Sequence, residues 1–313
     1  MSRMKWYFFL FLAAVTACNQ PHTAKTGEAK DAACDKQIDV PTWYYGHFGA
    51  DYSLDVPAEG FGGWQKTELP LCPEHTALCV MHAWDNPDQN LYPGIYSAVE
   101  YLPRAAEIYK ERMPAILKAF RDAGIRVIHV ESGEYVHKYE AYKKTQELIR
   151  EQLDECRKAR QYAMAGPAHE PVFDALRKFR GVKVHPGTEN NKDIDGAQKV
   201  RDIHPSVKPL PGEYMVRESD ELQAVCALHD INHLIYVGFA INCCILMSPC
   251  GMIDMSRRGY LCSTVKEVTT AVENDFSARE ELAKQLALWN TALFFGFVYE
   301  QEDLEKALLN VKK

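Results

Sequence analysis

The sequence predicts an α/β chain, a three-layer α/β/α sandwich with a mostly parallel central sheet. Two observations point there. Short apolar runs at 77–81 (ALCVM), 126–130 (RVIHV) and 234–237 (LIYV) read as buried strands. The longer stretches between them carry apolar residues at helical spacing and end on turn residues such as Gly124. Buried strands separated by helices imply parallel βαβ units with helices on both faces. At 313 residues, 47% hydrophobic and 25% charged, the chain can bury one large core, or two.

The elements follow in order. Arg3 and Lys5 precede an apolar run over 6–15 and then Val15-Thr16-Ala17-Cys18. A basic start, a short apolar stretch and small residues before a cut are the parts of an export signal. The run is too short to span a bilayer, which takes about 20 apolar residues. Ending on Cys18 resembles the bacterial lipobox, in which that cysteine is lipidated; an ordinary cleaved signal or an uncleaved anchor is the alternative. The expectation is a signal at 1–18, export to the cell envelope and a membrane anchor at Cys18. A polar tether follows at 19–36, then an irregular, aromatic-rich arm at 37–75 without strand or helix periodicity.

From 76 to 313 the pattern is that of the α/β domain. Helices are expected at 103–123, 139–162, 219–230, 242–258 and 277–293, the fourth disturbed by Pro249 and Gly251. Further strands are expected at 213–216 and 260–265. An enlarged loop is expected at 165–211, punctuated by Pro and Gly.

A net charge of −7 argues against a nucleic-acid partner. The ten cysteines do not form a disulfide framework. Cys79, Cys226, Cys243 and Cys262 lie in apolar patterns, where a free cysteine behaves as a small hydrophobe. Cys34 and Cys72 flank the arm and can pair, which spacing alone leaves open. No Cys or His spacing matches a structural zinc site, and no metal or cofactor is expected.

In open parallel sheets the site lies beyond the carboxyl ends of the strands. The strongest local feature there is Gly238-Phe239-Ala240-Ile241-Asn242-Cys243-Cys244. A strand ends in glycine, turns, and opens a helix whose first turn carries Cys244. Unpaired amides and the helix dipole favour a thiolate at such a place, and the turn amides of Ala240, Ile241 and Cys243 are candidates to hold an oxyanion. A buried structural cysteine is the other reading.

This segment, with the ordered stretches 76–82, 103–130 and 203–217 and the ending Arg257-Arg258-Gly259-Tyr260, resembles the isochorismatase-like (cysteine hydrolase) family. The resemblance runs over about 76–274. It implies an Asp-Lys-Cys triad at three strand ends, acting on a small amide or ureide, and often an oligomer. Carried over, Cys244 stands at the nucleophile. His82 stands where the family has Asp, and Arg217 where it has Lys; both depart from the pattern. His82 can serve as a base, with Asp85 as an alternative carboxylate, whereas Arg217 can hold charge but not exchange protons. The resemblance thus allows a working hydrolase or a ligand-binding pocket whose triad has decayed. Trp84 and Trp43-Tyr44-Tyr45 are candidates for pocket walls or core packing. His129, inside an apolar strand, reads as a core residue.

Overall fold

The computed structural model describes residues 34–159, 171–184 and 187–311. The export segment, Cys18 and nearly all of the tether lie outside the described residues. No helix among those described is long and apolar enough to cross a membrane.

One eight-stranded sheet runs in the order β2-β1-β8-β7-β6-β3-β4-β5. Its strands are β1 (Ile38–Gly46), β2 (Gly63–Leu71), β3 (Thr76–Met81), β4 (Arg126–Val130), β5 (Tyr214–Val216), β6 (His233–Gly238), β7 (Leu261–Thr269) and β8 (Val298–Tyr299). β3 to β8 are mutually parallel, while β1 pairs antiparallel with both β2 and β8. β6 and β3 form the middle of the parallel part of the sheet, and every residue of each is buried. Strands covered on both faces read as unbroken apolar runs, which is why these were visible in the sequence.

The helices are α1 (Pro93–Ala98), α2 (Leu102–Glu107), α3 (Met113–Asp122), α4 (Glu140–Leu148), α5 (Arg150–Ala159), α6 (Pro171–Lys183), α7 (Asn191–Val200), α8 (Ser219–Leu228), α9 (Met252–Arg257), α10 (Leu282–Phe294) and α11 (Gln301–Leu308). On one face α3 buries Met113, Ile116, Leu117 and Phe120, the i, i+3, i+4, i+7 stripe of an amphipathic helix. α11 joins that layer through Leu304 and Leu308. The opposite face is covered by Leu222 and Val225 of α8, Met252 and Met255 of α9, and Ala287 of α10. Three layers with a mostly parallel centre are the architecture the sequence predicts.

Three expectations are corrected. The arm at 37–75 is not irregular: β1 and β2 pair over nine residues from Ile38↔Leu71 to Gly46↔Gly63 and extend the sheet past β8. Disulfide Cys34–Cys72 closes this hairpin at its base. The enlarged loop at 165–211 holds α6 and α7. The helices expected at 103–123 and 139–162 are each divided, the first by a π-turn at Ile108–Arg112, the second between Leu148 and Arg150.

His129 is fully buried on β4 and its Nε2 meets Glu213 Oε2 at 3.0 Å. Arg121 donates through Nε and Nη2 to the same carboxylate at 2.6 and 3.0 Å, and the Leu210 amide donates at 2.8 Å. Burial opposes ionisation of Glu213, but His129, Arg121 and the Leu210 amide outweigh it and hold the carboxyl down at about 2. This network fastens α3 and the lead into β5 onto β4.

Candidate active site

The nucleophile turn begins where β6 meets β3. Gly238 has φ +116, and a Cβ placed there would stand 2.1 Å from the Met81 carbonyl oxygen. Only glycine fits both the conformation and the space. The Phe239 amide donates to that same oxygen at 3.1 Å, and the Phe239–Ala240 peptide is cis. Ile241–Ile245 then forms a π-turn carrying Cys243 and Cys244. Asn242 staples the turn to the chain beyond β7: its Nδ2 donates to Val272 O at 2.8 Å, and its Oδ1 accepts from Val272 N at 2.9 Å.

Cys244 is half-buried. Its thiol is held well below the usual range, first by the Cys243 thiol, against the opposing effect of burial, and further by the His82 ring and the Ser248 hydroxyl. Cys243 is shifted the other way, upward, by the same contact and by burial. The two thiols titrate as a coupled pair, and the His82 ring and Ser248 hydroxyl favour the thiolate on Cys244. Cys243 is therefore not the buried apolar filler its pattern predicts, but a half-buried partner of the reactive thiol.

Two of the three expected oxyanion amides, those of Ile241 and Cys243, are occupied. Ile241 N–H donates to Thr270 O at 2.8 Å and Cys243 N–H to Ala240 O at 3.1 Å. The π-turn accounts for the second of these, since the Ala240 carbonyl accepts from both Cys243 and Ile245. Ala240 itself is buried at the start of the turn.

His82 follows β3 in the left-handed region, φ +48, and is 6% exposed. Its ring stacks on Trp84 with centroids 4.6 Å apart. Trp84 Nε1 donates to Glu131 Oε2 at 2.8 Å, and the Tyr135 hydroxyl donates to the same oxygen. Glu131 is fully buried directly after β4. Among the described residues, His82 Nδ1 and Glu131 Oε1 have no hydrogen-bond partner. Burial pushes the Glu131 carboxyl up to about 7, against the lowering effect of His82, Tyr135, Trp84 and Arg201.

That shift carries a stability signature. The folded value lies above the unfolded one, so the favourable contribution is complete below about pH 4 and fades as pH rises through about 7, by about 3 kcal/mol in all. Glu131→Gln keeps an acceptor for Trp84 and Tyr135 without a titrating proton. Urea unfolding at pH 4 and pH 8 is expected to show wild type losing about 3 kcal/mol more than the variant across that interval. Equal losses would count against a buried, titrating Glu131.

The remaining sequence candidates separate. Asp85 lines the same cavity as His82, with its amide donating to Asp202 O at 2.8 Å. Arg217 does not join it. Its guanidinium turns to Glu134 Oε1 at 3.0 Å and His137 Nε2 at 3.3 Å, outside the cavity lining, because Glu134 offers a carboxylate where the strand ends. The cation that the fold does bring to the cavity is Arg201, packed on the Trp84 ring at 3.9 Å and within electrostatic reach of Cys244. The cavity, about 430 Å³, is walled by Trp84, Tyr101, Tyr109 and Phe239. Trp43 and Tyr45 are elsewhere, in an aromatic cluster with Trp64 and Trp289.

Sequence reasoning missed Arg201 and gave Glu131 no role. Glu131 had a signal, its place one residue past a buried strand; Arg201 had none, lying in a loop-rich stretch. The grouping of Cys72, Glu74 and His75 has ligand-type atoms within 4.8 Å of one another, but the Cys72 sulfur is committed to Cys34.

No family model matches the chain. Among solved structures it is similar to a cysteine hydrolase from Pseudomonas syringae pv. phaseolicola 1448A, at 14% identity and TM-score 0.42, over 78% of this chain and 96% of that one. An isochorismatase family protein from Burkholderia thailandensis gives 13% identity and TM-score 0.41, over 75% and 96%. In sequence, the chain is similar to the ureidoacrylate amidohydrolase RutB of Caulobacter segnis, 23% identical over 248 residues, which span 76% of this chain and 87% of that relative.

Proposed function

We propose that this chain is an isochorismatase-like hydrolase that cleaves the C–N bond of a small amide or ureide through Cys244. One observation carries the reading: the Cys243 thiol, the His82 ring and the Ser248 hydroxyl converge on the Cys244 sulfur beside an aromatic cavity. The similarity to an amidohydrolase supports it. The Cys244 thiolate attacks the carbonyl carbon. The tetrahedral adduct collapses, and the leaving nitrogen departs with a proton delivered by His82. A water then gives its proton to His82 and attacks the thioester, freeing the acid and restoring the Cys244 thiolate beside the reprotonated His82. The test is ammonia release by the full chain across a panel of small amides and ureides. Turnover of at least one is expected, and none across the panel would remove the proposal.

A second reading, a ligand-binding protein with a decayed triad, is favoured by the occupied Ile241 and Cys243 amides and by Arg217 facing away from the cavity. Saturable binding of an amide without ammonia release would select it.

We also propose that the chain is exported and anchored by lipid at Cys18, on the support of the 1–18 segment. Incorporation of labelled palmitate in a bacterial host, lost in Cys18→Ser, is the expected result; equal labelling of both forms would refute the anchor.

A further inference from the structure

Among the described residues Arg201 is the one arginine or lysine lining the cavity, and several contacts place it there. The segment after α7 is laced antiparallel to the chain leaving β3. Trp84 pairs with Ile203 in an isolated bridge, the Asp85 amide donates to Asp202 O at 2.8 Å, and the His204 amide donates to Ala83 O at 2.9 Å. The Arg201 guanidinium carbon therefore sits over the Trp84 indole, 3.9 Å from the ring centre. That indole is itself fixed by its bond to Glu131 and its stack with His82.

What Arg201 lacks is a carboxylate partner among the described residues. Its neighbour in sequence, Asp202, is committed elsewhere: it accepts from the Tyr139 hydroxyl and the Ile203 amide and pairs with Lys138 at 2.9 Å. The cavity acids Asp85 and Asp88 act on Tyr96. Glu131 is within electrostatic reach of Arg201 but forms no ion pair with it among the described residues, its Oε2 being taken by Trp84 and Tyr135. A guanidinium held on an aromatic face is an ordered donor, and its planar N–H fork matches a carboxylate in two parallel bonds.

Resting on the hydrolase reading above, we infer that Arg201 is a specificity-determining residue, the receptor for a carboxylate on the substrate, so that the cavity selects planar, anionic amides over their neutral counterparts. Trp84, Tyr101, Tyr109 and Phe239 supply the flat apolar walls. Arg201 fixes which end of the molecule points away from Cys244.

Benzoate and benzamide are the probes, being of one size and shape and differing in charge. Calorimetric titration of each into the full chain is expected to show benzoate binding saturably and at least about tenfold tighter than benzamide, the usual worth of a charged hydrogen bond. Arg201→Gln is expected to erase the difference by weakening benzoate alone. Arg201→Lys, which keeps the charge but loses the fork, should fall between, and it carries the test if the Gln variant does not fold. Equal affinities in wild type, no benzoate binding, or a benzoate preference that survives in Arg201→Gln would overturn the inference. A role in holding the Cys244 thiolate alone would instead shift the pH profile of Cys244 alkylation in Arg201→Gln and leave wild type without benzoate selectivity. The titration needs no turnover. Benzoate selectivity without hydrolysis of any amide defeats the hydrolase reading only, and hydrolysis without selectivity defeats this one only.

Discussion

Cys244→Ala is expected to lower amide turnover by about 10⁴-fold or more, with the unfolding midpoint close to that of wild type. Removing a nucleophile eliminates the covalent path, and what remains is binding and positioning alone. Cys244 is only half-buried, so its truncation leaves no large core cavity. Cys243→Ala is the informative companion. Without the Cys243 thiol, the first cause of the depressed Cys244 pKa is gone, while His82 and Ser248 remain. Activity should persist, with its acidic limb moved to higher pH. Steady-state ammonia release against pH for the three proteins checks both statements. Retained turnover in Cys244→Ala would remove the thiol from the mechanism.

The second large effect is structural. Gly238→Ala adds a Cβ that would sit 2.1 Å from the Met81 carbonyl oxygen, at a residue whose φ is +116. Both the steric overlap and the backbone conformation are unfavourable, and together they cost upward of about 3 kcal/mol. The site has little room to give way. β3 and β6 are a fully buried pair within the parallel part of the sheet, and Met81 O already accepts the Phe239 amide. Any shift that relieves the overlap moves the π-turn and Cys244 with it. A variant that folds should therefore lose turnover as well as stability, as read by denaturant unfolding and ammonia release on one preparation. Wild-type stability and activity together would show that the close approach of β3 and β6 does not position the thiol.

How much was legible in the sequence follows from which forces act at each place. β3, β4 and β6 were readable because strands buried on both faces consist largely of apolar residues. β2 was not, since an edge strand with residues such as Gln65, Lys66 and Glu68 exposed carries no apolar alternation. Its partner β1 contains Pro41 and takes its place in the sheet from β8, which lies more than 250 residues further on, a pairing no local pattern encodes. The nucleophile turn was visible because Gly238 and Cys244 are fixed by backbone geometry, which spacing reports. The charged residues around it were less visible. A strand end places an α-carbon, but the direction of a long side chain is set by where its counter-charge lies. Glu134 draws Arg217 away, and Trp84 draws Arg201 in.

The account rests on Cys244 being a thiolate at and below neutral pH. Mass-spectrometric measurement of its alkylation by iodoacetamide, from pH 4 to pH 10 in the folded full chain, tests this most directly. A reactive Cys244 is expected to label at half its maximal rate well below pH 7 while Cys243 labels only at alkaline pH. A Cys244 profile rising near pH 8.5, like that of an ordinary thiol, would contradict it.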